Sequence, residues 1–497
     1  MYTPTQEDVK MLTQSTRDVY CYIDILNDDF KKIGTLDGEV ISDSYSFTAE
    51  SDIRKTMSLT IHIADSSFMI GRDKKIWFDK YLDVAMGIKN IRTGEIRRYP
   101  IGLFLFYDIG YRYDEANRTL SIGLVDRVAD LNGDRRGVLS GTGTMIPAES
   151  DIRNAMVSTI TELGGIKKYR IDDIGKSVPY DLEFSQGAVV WSVVKELRDL
   201  YPGWETFFDR DVFVCQQYPT TTSAPVVVDD TILHPLVQGE SVQNQMNRVK
   251  NVIEVWGKCL DADYYTENVT MSGSSIQATY TAVSELSSGA TFGFKATSDN
   301  TGACTLKINS FGAYPILGEN NAELVSGQIV AGKGYVVKYK SIGSSGYFYF
   351  QGEYQVAAIA KLVTSEPSED EKAADLAKEP TDNIYYVVEP DSPYAVNVIN
   401  EMRDVKYGGE YDNILSEDLA AQRAKYDLWL ATDMLDTITL DCIEIPWLDV
   451  NQKIRYTPFS TGVTNEYIVT SKSGSTTSGI MTINCTKFQP LYSWAEE

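Results

Sequence analysis

The sequence contains almost no histidine. Among its 497 residues only His62 and His234 carry an imidazole ring. A metal site built from three histidines is therefore excluded, and few side chains remain that titrate near neutral pH for acid–base catalysis. The G-x-S-x-G, H-E-x-x-H and P-loop motifs are also missing. A glycosidase needs only two carboxylates, and 70 acidic residues always supply pairs, so carboxylate chemistry stays open.

Basic residues are too few for a protein that binds nucleic acid. Lys and Arg total 46 against 70 acidic residues, which gives a net charge of −24, whereas phosphate backbones are bound by concentrated basic surfaces. No apolar run approaches the roughly 18 residues of a membrane-spanning helix. The N-terminus lacks the basic start and apolar stretch of a signal peptide. The six cysteines lie far apart, as is typical of buried thiols in a chain that folds in the cytoplasm.

The sequence is rich in residues that favour β-strands. It has 31 tyrosines and 36 glycines, with short runs of Ile, Val, Tyr, Phe and Thr between Gly, Asn and Asp turns. Consecutive strands with short turns in residues 1–140 predict a first antiparallel β-domain, either a barrel or a sandwich. Within it, Leu103–Tyr113 and Thr119–Arg127 flank a polar turn at residues 114–118 and predict a hairpin. A similar hairpin at residues 466–487 is explained either by a second domain of the same build or by an independent hairpin.

Helical periodicity appears after the first β-domain. Ser150 is predicted to cap a helix with an apolar stripe, and a second helix is predicted between Ser185 and Pro202. Residues 141–225 therefore predict a small α+β domain. Residues 226–264 together with 355–497 predict a further β-rich domain, with an acidic linker at 364–382 and a helix near 416–432. The predicted class is mainly β with α+β.

Residues 265–354 differ from the rest of the chain. They hold 12 of the 36 glycines, 5 lysines and 6 acidic residues, but no Arg or Trp. Short alternating segments between Gly, Ser and Asn turns predict an inserted β-sandwich module that folds independently. Strand alternation places Tyr347 and Tyr349 on one face, opposite Phe348. These two tyrosines, with Tyr335 and Tyr339, are the candidate surface contact for a glycan or a protein.

The order of segments outside the module resembles the baseplate hub proteins of phage tails, including the N-terminal hub region of tail-associated lysins. The segments that carry the resemblance are a barrel hairpin with its exit, a helical unit, a strand entering a second barrel, and a closing helix with its strands. They are residues 102–106, 119–127, 131–133, 188–214, 249–257, 422–426, 447–451 and 487–490.

The resemblance implies a structural virion protein at the tail tip, folded in the host cytoplasm. It implies a homotrimer that joins the sixfold tail tube to the host-facing tip, with the module displayed for contact with the host surface or baseplate. The implied partners are the distal tail or tail-tube ring protein, the tape measure protein and other tail-tip or receptor-binding proteins, with DNA passing through unbound. No peptidase or fibre extension follows before Glu497, so no lytic activity is implied.

We therefore expect no enzyme, no cofactor, no metal site and no catalytic residue. Two alternatives stay open. One is a receptor-binding or fibre-type protein that recognises a cell-surface glycan, although neither repeats nor coiled-coil heptads are visible. The other is a carbohydrate-active enzyme, which should show a carboxylate pair in a cleft.

Overall fold

The chain is divided into two units in its computed structural model. The first unit is formed by residues 4–248 and 434–490, and the second by residues 249–432. The residues that the structure describes are 4–36, 40–63, 65–113, 118–141, 143–219, 224–257, 260, 262–318, 321–342, 345–354, 356–376, 381, 383–432, 434 and 436–490. Residues 114–117 of the predicted hairpin turn and residues 377–380 and 382 of the predicted linker lie outside them.

The first unit begins with a helix and seven strands. They are α1 (Gln6–Leu12), β1 (Val19–Leu26), β2 (Lys32–Thr35), β3 (Val40–Thr48), β4 (Lys55–His62), β5 (Tyr81–Lys89), β6 (Ile96–Tyr113) and β7 (Arg118–Val125). Thr5 caps α1 because its hydroxyl accepts from the Asp8 amide while the Asp8 carboxylate accepts from the Thr5 amide.

An α+β segment with its own hydrophobic core follows. Its elements are β8 (Thr144–Ile146), α2 (Ile152–Ser158), β9 (Tyr169–Ile171), β10 (Leu182–Phe184), α3 (Val190–Asp199), β11 (Trp204–Asp209) and β12 (Val212–Gln217). Both predicted helices are present. The cap of α2 is Asp151, whose carboxylate accepts from the Asn154 amide, and not the predicted Ser150.

The chain then forms β13 (Val226–Val228), α4 (Asp230–Leu233) and β14 (Val237–Asn244) before entering the second unit. There it forms β15 (Val252–Trp256), β16 (Tyr264–Thr266), β17 (Val269–Ser272), β18 (Ser275–Ala278), β19 (Thr291–Lys295), β20 (Cys304–Ile308), β21 (Ala313–Leu317), β22 (Gly334–Ile342), β23 (Ser345–Glu353), β24 (Ala357–Val363), α5 (Glu369–Leu376), β25 (Asn383–Val387), α6 (Val396–Ile399), β26 (Arg403–Lys406) and α7 (Glu417–Ala431). The first unit closes with β27 (Asp436–Ile443), β28 (Lys453–Tyr456), β29 (Asn465–Ser475) and β30 (Ile480–Lys487).

One 13-stranded sheet organises the first unit. Its order is β14-β27-β30-β29-β3-β4-β7-β6-β5-β1-β2, with β28 pairing both β29 and β13. The strands that the sequence assigned to two barrels thus belong to one hydrogen-bonded ladder, joined where Ser471–Gly474 of β29 pair with Tyr45–Thr48 of β3. Side chains from both ends of the chain fill one hydrophobic core. The predicted mainly β class is confirmed.

The second unit contains two separate sheets. Strands β25-β24-β15-β26 form a four-stranded sheet against which α7 packs. The predicted helix near 416–432 is α7, which is capped by Ser416. Residues 249–264 and 356–432, predicted to belong to the second barrel, are therefore grouped apart from the 13-stranded sheet. Buried Asn251 fixes this sheet, because its amide nitrogen donates to the Tyr394 and Asn400 carbonyls and its oxygen accepts from the Met402 amide.

The module forms the other sheet. Its eight strands make one ladder, β16-β19-β22-β23-β21-β20-β18-β17, around a core of its own. Its entry and exit are adjacent, since the Leu260 amide donates to the Tyr354 carbonyl at 3.1 Å. The Tyr265 and Tyr354 ring centroids are 4.7 Å apart. Lys333 in the module forms ion pairs with Glu353 and with Glu417 at the start of α7.

A fully buried ion pair lies beside the junction of β3 and β29. Lys472 Nζ lies 2.8 Å from Glu444 Oε1, and both side chains are 0% exposed. The ammonium also donates to the carbonyls of Ile445 (3.0 Å) and Leu448 (2.9 Å). The Tyr45 hydroxyl donates to the other Glu444 oxygen. Burial and the adjacent Glu444 charge raise the pKa of Tyr45 well above its usual value.

Removing one partner of this pair should destabilise the first unit strongly. We expect Lys472→Met to lower the free energy of unfolding by about 3–5 kcal/mol, because it leaves Glu444 charged and buried. The double variant Lys472→Met/Glu444→Gln should be less destabilised than the single one. Lys89→Met, which breaks an exposed pair with Asp18, is the control and should cost less than about 1 kcal/mol. Denaturant titration of each variant measures the difference, and equal losses for Lys472→Met and Lys89→Met would contradict the prediction.

Candidate assembly and contact surfaces

The two histidines serve the fold. His62 is exposed on β4 and lies opposite Thr119. His234 Nε2 lies 2.9 Å from the Thr457 carbonyl oxygen, and its ring stacks on Phe459 at a centroid distance of 4.8 Å. Asp230 accepts hydrogen bonds from the Thr457 amide and hydroxyl. This His–Asp–Thr group therefore fixes the loop after β28.

Cys215 and Cys442 are buried in the hydrophobic cores of the first unit. Burial raises the pKa of the Cys215 and Cys442 thiols to about 12, which keeps both protonated and unreactive. Cys259 lies outside the described residues. Where the structure describes the chain, no three His, Cys, Asp or Glu side chains are placed to hold a metal ion together. The helices in that part of the chain are all too short or too polar to cross a bilayer.

A buried polar junction ties three segments of the first unit together. Arg54, before β4, donates to Glu205 of β11 at 2.6 Å, and the same oxygen accepts from Asn451 at 2.5 Å. Next to it, Lys55 donates to Asp449 at 2.5 Å. Burial would raise the pKa of Asp449, but Lys55 and Arg54 hold it below its usual value. The junction is a structural connection, because its charges are paired with each other.

The β6–β7 hairpin carries exposed aromatic side chains. Strand β5 pairs with β6 only between Ile96 and Leu105, so the last part of β6 has β7 as its one partner. There Tyr111 is 42% exposed and Tyr113 71% exposed. The Tyr111 hydroxyl accepts from the Ile70 amide and donates to the Phe68 carbonyl, which holds the exposed Met69 and Ile70 beside the hairpin. We call Met69, Ile70, Tyr111 and Tyr113 the rim patch.

The rim patch was not predicted from the sequence. The feature of the sequence that could have predicted it is a series of tyrosines at odd positions, 107, 111 and 113, which follows the apolar residues of β6. An apolar face that continues past the core is typical of a surface that contacts another protein.

The four tyrosines predicted for the module surface are divided between core and surface. Tyr335 is 1% exposed and its hydroxyl accepts from the Val330 amide, while Tyr339 is 6% exposed and packs on Phe348. These two are core residues and do not contribute to a surface platform. The reason is the register, which pairs Tyr339 with the buried Phe348. Tyr347 and Tyr349 are half-buried on the opposite face.

Comparisons with known proteins give a short family match and several structural similarities. Residues 391–492 match a family described as a domain of unknown function, DUF5048. No curated protein matches the chain in sequence.

Three of the similar solved structures are described as tail proteins. The prophage MuSo2 43 kDa tail protein from Shewanella oneidensis has 9% identity and a TM-score of 0.47, with coverage of 95% of this chain and 99% of that one. The tail protein from Neisseria meningitidis MC58 has 9% identity and a TM-score of 0.46, with coverage of 94% and 96%. The prophage tail protein gp18 from Listeria monocytogenes EGD-e has 8% identity and a TM-score of 0.42, with coverage of 94% of each.

The buried Asp126 should make the first unit's stability depend on pH. Burial raises its pKa to about 6, although the Val128 and Lys55 amides donate to it. Between the unfolded pKa of about 3.9 and the folded pKa, the native state holds the extra proton, so this group's contribution to stability falls as pH rises. From about pH 4 to about pH 7 the wild type should lose about 2–3 kcal/mol relative to Asp126→Asn.

The measurement is chemical denaturation across this pH range, with hydrogen exchange of β4 amides reporting on the first unit. Asp441→Asn, on an exposed strand position, is the control and should follow the wild-type pH profile. Parallel profiles for the wild type and Asp126→Asn would contradict the prediction.

Proposed function

We propose that this chain is a structural virion protein, a trimeric tail-tip or baseplate hub that joins the sixfold tail tube to the host-facing tip. The sequence resemblance supports this role, and a continuous sheet built from both ends of the chain suits a load-carrying scaffold. The partners in this proposal are two further copies of the chain, the tail-tube ring or distal tail protein, the tape measure protein and other tail-tip proteins. The protein folds in the host cytoplasm and works in the virion.

The observation that carries the proposal is the rim patch. A soluble chain with net charge −24 keeps its surface largely polar, yet here apolar side chains from β6 and a neighbouring loop are held together by the Tyr111 hydrogen bonds. Aromatic residues are enriched where protein partners meet, and contiguous exposed apolar patches mark such sites. We assign the rim patch to contacts between subunits.

Several carboxylates of the described chain are engaged in hydrogen bonds within the fold, which agrees with a non-enzymatic role. The carboxylates of Asp43, Glu205, Glu240 and Asp449 each accept hydrogen bonds that hold loops or strands in place. None of these groups is left as an acid or base facing a substrate cleft. A purified chain should therefore not hydrolyse peptidoglycan or host polysaccharide.

Disrupting the rim patch should disrupt the trimer. We expect light scattering of the wild type to give a trimer, alone or after mixing with the tail-tube ring protein. The variant Tyr111→Ser/Tyr113→Ser should remain monomeric, because the interface loses two aromatic rings. Val463→Ser, a similarly exposed residue on the loop between β28 and β29, should remain trimeric. A wild type that is monomeric in both conditions would contradict the hub, and a trimeric double variant would contradict the assignment of the rim patch.

Residues 265–354 should be removable. The adjacent entry and exit allow a short Gly/Ser linker to replace the module, and the Lys333 ion pair with the half-exposed Glu417 adds little stability. We expect a soluble protein with an unchanged oligomeric state, and a cooperative thermal transition for the isolated module. The wild type is the control. Aggregation of the variant that lacks residues 265–354 would show that the module is required for folding of the second unit.

A further inference from the structure

The outer face of the module sheet carries a compact group of lysines and tyrosines. Lys338 pairs with Tyr349 and Lys340 with Tyr347 across β22 and β23. On the other side of β23, Leu317 is in register with Tyr349. The side chains between them point inward, since Tyr339 and Phe348 belong to the core. Lys338, Lys340, Tyr347 and Tyr349 therefore form one continuous outer surface, which we call the Lys/Tyr face.

The lysines of the Lys/Tyr face are not engaged in ion pairs. Of the module's lysines, Lys295 lies 3.9 Å from Glu267 and Lys333 is paired with Glu353 and Glu417. Among the described residues, no carboxylate oxygen lies within 4.0 Å of the ammonium groups of Lys338 and Lys340. The Lys340 ammonium instead lies 4.8 Å from the centre of the Tyr349 ring, as a cation over an aromatic face.

Two carboxylates lie at the borders of this face. Hydrogen bonds from the Thr291 amide (2.8 Å) and hydroxyl (3.0 Å) lower the pKa of Asp263, and the Lys338 charge adds to this. Glu323 is exposed and bridges to Leu317 through the backbone. In the described part of the face, Asp263 is therefore the carboxylate beside Lys338, and it accepts the Thr291 hydrogen bonds.

We propose that the Lys/Tyr face binds an anionic polysaccharide, a sugar polymer that carries carboxylate or phosphate groups. The inference rests on the proposed hub function and on the resemblance, which implies that the module is displayed for contact with the host surface. Half-exposed tyrosine rings offer an apolar surface with a polar edge, which suits the mixed apolar and polar surface of a sugar ring. Lys338 and Lys340 bind the anionic groups, and their attraction is strongest at low salt.

The arrangement favours a glycan over a protein or a nucleic acid. The centre of a protein interface is depleted of lysine, whereas here lysines alternate with the rings at the centre. Nucleic acid needs a larger basic surface than this face offers, because the face has two lysines and the module holds 5 lysines against 6 acidic residues. The whole chain is acidic, which disfavours binding of polyanions. The Lys/Tyr face carries two lysines and therefore differs in charge from the chain as a whole.

The test uses the full chain and polygalacturonate, a polymer with a carboxylate on each sugar. Neutral dextran and poly-glutamate serve as the uncharged and the non-sugar probes. We expect Lys338→Gln/Lys340→Gln and Tyr347→Ser/Tyr349→Ser each to weaken polygalacturonate binding about tenfold or more. The control Lys10→Gln/Lys167→Gln makes the same change in net charge on exposed residues of the first unit and should bind like the wild type. Poly-glutamate should bind at least about tenfold more weakly than polygalacturonate.

Several outcomes would overturn the inference. They are no binding of polygalacturonate by the wild type, equal binding by the Lys338→Gln/Lys340→Gln variant, and poly-glutamate binding as tight as polygalacturonate. The last result would assign the face to an acidic protein instead. Light scattering on the same samples separates the two hypotheses. A trimer that fails to bind polygalacturonate refutes only the inference, whereas a protein that is monomeric both alone and with the tail-tube ring protein refutes the hub.

Discussion

The first unit depends on one pairing between strands that are more than 400 residues apart in sequence, β3 and β29. The fully buried Lys472 and Glu444 lie beside this pairing, and burying two charges is costly unless each is matched. Here the ammonium has a carboxylate and two carbonyl oxygens, and the carboxylate also receives the Tyr45 hydroxyl. A shift of β29 relative to β3 by one residue would separate Lys472 from these partners, so the pair specifies the register.

The same junction is fixed at its other end by Asp43. Its carboxylate accepts from the Thr476 amide at 2.7 Å and from the Thr477 amide at 2.9 Å. These bonds hold the turn between β29 and β30 against β3. Because the turn and the ion pair constrain the same strand, the N-terminal and C-terminal strands form one sheet with one core. The Arg54–Glu205 pair then attaches the α+β segment to this sheet.

The module shows how local charge can differ from the charge of the whole chain. Its composition is nearly neutral, but most of its acidic residues are on turns or paired, while Lys338 and Lys340 share a face with Tyr347 and Tyr349. Net charge describes long-range attraction and repulsion. Binding at short range depends on which side chains share a face, and strand register decides that.

The sequence by itself determined the mainly β class, both helices of the α+β segment, helix α7 and the position of the module. Each is a local property, carried by residue period, by caps such as Ser416 or by composition. Alternation also separated Tyr347 and Tyr349 from Phe348. Only the tertiary structure decided that Tyr335 and Tyr339 are core residues, that β29 joins β3, and that Tyr111 and Tyr113 extend past the core. These outcomes depend on register and pairing between distant strands, and a period of two residues leaves both faces of a strand equally available until a partner is fixed.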